Sequence, residues 1–237
     1  MTIDYLKKIL TSRVYDVANE TPLELAPDLS RRFDNRIYFK REDMQSVFSF
    51  KLRGAYNKMA NLSPAQLKRG VICASAGNHA QGVALAAQLL GIRSTVFMPE
   101  GAPIPKEKAT RAYGADVVFH GRYLEDALIA ARAFAEETGA VLIHPFDHVD
   151  IVTGQGTCGL EILDQCPDVK TIVVSTGVTV TVAVPLIVPL VAVIVLAKVP
   201  GVLPAVKRPA ALIVPPPLAT FFASSGTRAR SKVWCDR

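Results

Sequence analysis

The sequence predicts an α/β fold in which parallel sheets carry helices on both faces. Three observations lead there. Six short, apolar, β-branched runs recur along residues 1–177: "NRIYFK" (35–40), "VICASA" (71–76), "STVFMP" (94–99), "ADVVFH" (115–120), "AVLIHP" (140–145) and "KTIVVS" (170–175). Stretches with helical spacing lie between them, several closed by a glycine. Strand and helix alternate every 20 to 30 residues, about the span of a crossover unit, which implies parallel strands covered on both sides. Ligands in such sheets bind at the C-terminal ends of strands, beside helix N-termini.

Taken in order, "SFKLRGAYNKM" starts a helix whose core side is Leu52, Ala55, Tyr56 and Met59. In "NHAQGVALAAQLLG" the apolar face is Val83, Ala86, Ala87 and Leu90, and Gly91 ends it. "PKEKATRAYGA" is a short helix opened by Pro105 and closed by Gly114. "YLEDALIAARAFAEETGA" places Leu124, Leu128, Ala131 and Phe134 at helical spacing before Gly139, and "QGTCGLEILDQC" repeats the pattern.

Composition divides the 237-residue chain near residue 177. Residues 1–177 carry 20 Lys+Arg against 20 Asp+Glu, so the whole excess of +6 lies in the tail. No basic, aromatic-laced face marks the first part, which argues against a nucleic-acid partner. The cysteines (Cys73, Cys158, Cys166, Cys235) form no C-x-x-C pair and no metal pattern; they read as reduced thiols of a cytoplasmic protein. No secretory signal opens the chain. From Thr171 to Ala197 no residue is charged, and half of the 16 prolines fall in the last 60 residues. The run "VTVTVAVPLIVPLVAVIVLAKVP" has three readings. It is long enough for a membrane span, but Pro185, Pro189 and the β-branched alternation oppose a regular helix. Buried strands are a second reading. A shift of reading frame is the third, and the composition favours it.

Two stretches lie where the fold would place a ligand. Lys51 stands at a helix start, where the dipole disfavours a cation; it is either solvated or held there for a purpose. A buried lysine has a lowered pKa, and its free amine is a nucleophile toward carbonyls. "SAGNHAQG" (75–82) follows a strand and opens a helix; it is either a plain cap, with Ser75 and Asn78 as capping residues, or an anion site built from exposed N–H groups. His79, with no partner at metal spacing, reads as structural. "GQGT" (154–157) reads as a third turn.

"KRED", "SFKLRGAY", "SAGNHAQG", "PFDH" and "GQGT", in this order and spacing, closely resemble the fold-type II pyridoxal-phosphate enzymes (tryptophan synthase β-like), and within them the biosynthetic threonine dehydratases. "DYL…TPL" and "NLSPAQLKRGV" add to the likeness, which runs from about Asp4 to Gly177. It implies pyridoxal 5'-phosphate as cofactor, a homo-oligomer, and conversion of L-threonine to 2-oxobutanoate and ammonia, the first step of isoleucine biosynthesis. A serine dehydratase or racemase (L-serine as substrate) and a non-catalytic remnant are the alternatives. Residue by residue, it implies that Lys51 holds the cofactor covalently and moves the α-proton, that Phe50 packs on its ring, and that Asn78 hydrogen-bonds its 3-hydroxyl. Ser75, Ala76, Gly77, Asn78 and His79 form the turn that takes the substrate carboxylate. The domain reading is 1–177 as the N-terminal part of a catalytic domain, with a small subdomain at about 53–150, and 178–237 as an anomalous tail.

The departure from the family comes at Gly177, where a glycine run should begin to cradle the cofactor phosphate. "VTVTVAVPL" follows instead; valine and threonine do not take the positive φ values of such a nest without strain. A glycine-rich coding stretch read one base out gives Val and Ala in alternation, which is why the frame shift is preferred. The resemblance then implies a truncated, impaired enzyme.

Overall fold

The computed structural model describes residues 3–174 and 233–236. In chain order these form α1 (Tyr5–Leu10), β1 (Leu23–Leu25), α2 (Pro27–Phe33), β2 (Ile37–Lys40), α3 (Lys51–Ala60), α4 (Pro64–Arg69), β3 (Val71–Ala74), α5 (Asn78–Leu90) and β4 (Ser94–Met98). They continue with α6 (Ile104–Ala112), β5 (Asp116–Phe119), α7 (Leu124–Thr138), β6 (Val141–Leu142), α8 (Val149–Gln165), β7 (Thr171–Val174) and β8 (Val233–Asp236). Residues 175–232, Gly177 and the Val/Pro-rich run among them, lie outside the described residues, so the three readings of that run and the expected phosphate run fall there too. The chain divides into two compact units, residues 1–20 with 45–158, and 21–44 with 159–237.

The first unit holds a parallel sheet in the order β5-β4-β3-β6, with Val71 paired to both Ser94 and Val141, and Thr95 to Asp116. Alternation along β3 sends side chains to opposite faces. Val71 and Cys73 join Val96 and Met98 against Leu52, Ala55 and Met59 of α3 and Val83, Ala86 and Ala87 of α5. Ile72 and Ala74 join Phe97 on the other face, against Ala127 and Ala131 of α7, with Phe134 packed on Phe97 at 5.7 Å between ring centroids. Helices therefore cover both faces, as the alternation predicted. Burying Leu52 or Met59 completely contributes roughly 1.5–3 kcal/mol each. Ser63 caps α4 through a reciprocal pair with Gln66, and Gly91 and Gly139 end α5 and α7 in the left-handed conformation expected of them.

The second unit differs from expectation in strand direction. β2, read as one of the parallel strands, pairs antiparallel with β1 and β8, and β7 pairs antiparallel with β8. A run of β-branched residues marks a strand but carries no information on the direction of its partner. Its interior holds an ion pair: Lys40 Nζ lies 2.6 Å from Glu161 Oε2, both side chains nearly or fully buried. Lys40 also donates to the Thr21 carbonyl and to Gln165 Oε1, and Thr21 Oγ1 donates to Glu42 at 2.7 Å.

"GQGT" is not a turn. Gly154–Thr157 lies inside α8, and its first glycine exists for contact. A Cβ on Gly154 would stand 2.7 Å from the Arg53 carbonyl oxygen and from Gly54 Cα, and one on Gly54 would stand 2.9 Å from the Ile151 carbonyl oxygen. The backbones of α3 and α8 thus touch glycine to glycine. Helical glycines cost intrinsic stability, and a loop reading is the natural inference unless a packing partner is known.

Candidate active site

α3 begins at Lys51, and its first turn abuts the first half of α5. A Cβ on Gly82 would stand 3.1 Å from Leu52 N and 3.2 Å from the Lys51 carbonyl carbon and oxygen. Lys51 is 8 % exposed, and burial lowers its pKa from 10.5 to about 8. Its Nζ donates to the Pro145 carbonyl at 3.1 Å and lies 5.3 Å from the centroid of the buried Phe50 ring. No carboxylate of the described residues pairs with it. The "PFDH" loop is turned by His144, whose Nδ1 accepts from the backbone N–H groups of Phe146 (3.3 Å) and Asp147 (2.7 Å). That turn sits beside Pro145, whose carbonyl meets the lysine.

β3 and α5 are buried along most of their length, but Ser75, Ala76, Gly77 and Asn78 between them are half-exposed. The Gly77 Cβ direction meets nothing within 4 Å. The capping expectation is corrected here: the N-cap is Gly77, without a side-chain cap. Ser75 Oγ instead accepts from Gly77 N at 3.2 Å, and Asn78 is the first helical residue. The turn keeps its solvent-facing shape through a local Ser75 bond, while the Asn78 side chain reaches to α6. Its Oδ1 accepts from Lys106 Nζ at 2.6 Å.

His79 is buried. Its Nε2 lies 2.9 Å from the Ile143 carbonyl, which accepts only, so Nε2 carries the hydrogen. Nδ1 is then a bare acceptor, buried without a hydrogen-bond partner among the described residues. Burial lowers the His79 pKa to about 3, so the ring is neutral and no proton donor at ordinary pH. His79 and Lys51 both rest on the backbone of the segment after β6.

The structure thus brings Lys51, Phe50 and the Ser75–His79 turn into one unit, on two abutting helix starts. Gly177 is outside the described residues. Sequence reasoning missed the Pro145 carbonyl, the Gly82 contact and Lys106. Lys106 carries the same signal that marked Lys51, a lysine in the first turn of a helix.

A buried, weakly basic amine, an aromatic face beside it and an amide at a half-exposed turn are the donor set that an aldehyde-bearing pyridine cofactor requires, so the residues present fit such a group. Comparison with known proteins agrees. Residues 14–184 match the family model described as "Pyridoxal-phosphate dependent enzyme". The chain is 53% identical over 165 residues to threonine dehydratase 1 biosynthetic, chloroplastic, of Solanum lycopersicum, covering 70% of this chain and 27% of that protein. It is likewise 53% identical to the biosynthetic L-threonine dehydratase of Burkholderia multivorans, covering 68% of this chain and 32% of that protein. The chain thus spans about a third or less of the length of these two relatives. Among solved structures, the processed form of threonine deaminase isoform 2 from Solanum lycopersicum superposes with TM-score 0.68 at 53% identity, over 71% of this chain and 49% of that one. Maize serine racemase superposes with TM-score 0.68 at 35% identity, over 72% and 52%.

Proposed function

The chain belongs to the pyridoxal-phosphate-dependent enzyme family, and from that premise we propose that it carries the amine-bearing part of a threonine dehydratase site. The single observation behind this is the buried Lys51 amine, held on a carbonyl rather than a carboxylate, beside the half-exposed Ser75–Asn78 turn. The overall reaction breaks the Cα–H and Cβ–O bonds of L-threonine and loses water; hydrolysis of the product enamine restores that water and releases ammonia with 2-oxobutanoate.

Lys51 Nζ would hold the cofactor covalently and, once displaced by the substrate amine, take the α-proton. Its lowered pKa suits both tasks, since near pH 8 half of the amine is unprotonated. Phe50 would pack on the cofactor ring, and Asn78 would donate to its 3-oxygen. The Ser75 hydroxyl, which the Gly77 N–H holds at 3.2 Å, and the N–H groups of Ala76, Asn78 and His79 would hold the substrate carboxylate at the start of α5. When bound, pyridoxal phosphate supplies an electron sink for the charge left on Cα.

Threonine is preferred over serine because relatives at 53% identity are named threonine dehydratases, against 35% for the serine racemase. A place in isoleucine biosynthesis rests on the biosynthetic names of those relatives. The cytoplasmic location and the homo-oligomer are parts of the same proposal. Among the described residues no helix is long and apolar enough to cross a membrane.

Purified protein mixed with pyridoxal phosphate should develop visible absorbance, which Lys51→Ala abolishes. Feeding L-threonine should give 2-oxobutanoate faster than L-serine gives pyruvate. A wild-type chain that stays colourless overturns the proposal; faster turnover of serine replaces it with the serine reading.

A further inference from the structure

Lys106 sits in the first turn of α6, half-buried, where the helix dipole and the loss of water both disfavour a cation. Its ammonium donates to Asn78 Oδ1 at 2.6 Å and to Gln81 Oε1 at 2.8 Å. No carboxylate of the described residues pairs with it. Burial lowers its pKa, so the arrangement carries a cost that an ion pair would have offset. Asn78 and Gln81 stand three residues apart on α5, hence on one face. An ammonium has three donors and no acceptor, so both amides must present oxygen to it. That settles which way the Asn78 amide is turned. Planarity then places Nδ2, the donating end, on the side away from Lys106.

We infer that Lys106 is a positioning residue that fixes the Asn78 amide with its N–H groups toward the bound cofactor. The inference rests on the pyridoxal-phosphate reading above. Lys106 touches neither cofactor nor substrate in this role. It acts by withdrawing the one alternative the amide has, a flip that would face oxygen against the cofactor's own oxygen, and by polarising the amide so that it donates more strongly.

A double-mutant cycle tests it, with cofactor affinity read by absorbance titration. Lys106→Met and Asn78→Ala should each weaken pyridoxal-phosphate binding about tenfold, the cost of one hydrogen bond to a charged or strongly polar group. The double variant should bind no worse than Asn78→Ala alone, because the two act through one contact. Lys106→Arg, which keeps the donors, should restore most of the affinity. Losses that multiply in the double variant overturn the role, as does Lys106→Met binding like wild type. In the cofactor-free protein, the side-chain NH2 resonances of Asn78 should shift in Lys106→Met while thermal unfolding shows a folded chain; resonances left in place also overturn it. A wild-type chain that binds no cofactor overturns the functional reading, and the resonance measurement still judges whether Lys106 fixes the amide.

Discussion

Two lysines eleven positions apart, Lys40 and Lys51, are both buried, and they are treated in opposite ways. Lys40 is fully enclosed and meets Glu161 at 2.6 Å, with the Thr21 carbonyl and Gln165 completing its shell. Lys51 meets a carbonyl and an aromatic ring, and its pKa drops to about 8. A carboxylate partner offsets the desolvation of an ammonium; a carbonyl offsets only part of it, and the group yields its proton more readily. The difference teaches that burial alone does not make a lysine reactive. The missing counter-charge does.

The comparison breaks most visibly if the paired side loses its partner. Glu161→Ala leaves Lys40 enclosed with its cation uncompensated and should cost about 3–5 kcal/mol of stability in chemical denaturation. A loss under about 1 kcal/mol, the range of a surface pair, would mean the pair is not the enclosed one described here. The unpaired side is sharpened by pH. Because the Lys51 pKa falls from 10.5 in the unfolded chain to about 8 on folding, the unfolded state binds that proton more tightly. The lysine therefore destabilises the fold below pH 8, and the penalty fades as pH rises from about 8 to 10.5. Lys51→Met should be more stable than wild type by about 3 kcal/mol at pH 7 and should converge on it above pH 10.5. A difference that stays constant across this range would show that Lys51 is not desolvated. The smallest effect concerns the scaffold under Lys51. Gly154→Ala puts a methyl against the α3 backbone and should cost about 1–3 kcal/mol, measured as a fall in thermal midpoint. The α3 start should shift with it, so the Lys51 pKa moves back toward its ordinary value.

Much of this was legible in the sequence, and the exceptions have physical causes. Leu52, Ala55, Tyr56 and Met59 at helical spacing identified the apolar side of α3, while Arg53, Gly54 and Asn57, buried as well, gave no apolar signal. Lys51 stood out as a cation at a helix start. β2 and β7 were recognised as strands while their antiparallel partners were not, since pairing depends on residues far away in the chain. Gly154 was taken for a turn because glycine signals either a bend or a close contact, and only the neighbour, here Gly54, decides which. Lys106 was passed over because its worth comes from Asn78 and Gln81, about 25 residues away.

Gly82 has a consequence of its own for how this site tolerates inherited change. A methyl there would press on the first turn of α3 at 3.1–3.2 Å, where the backbone itself would have to give by a few tenths of an ångström. The spacing between the amine-bearing helix and the turn facing it is therefore set by a position with no functional group. Whether a replacement at Gly82 is tolerated turns on how far the α3 backbone can give, although the position has no chemistry to lose, and a survey ranking positions by reactive atoms would pass it by. It serves as the gauge block of the site, a thickness of nothing against which two helices are aligned.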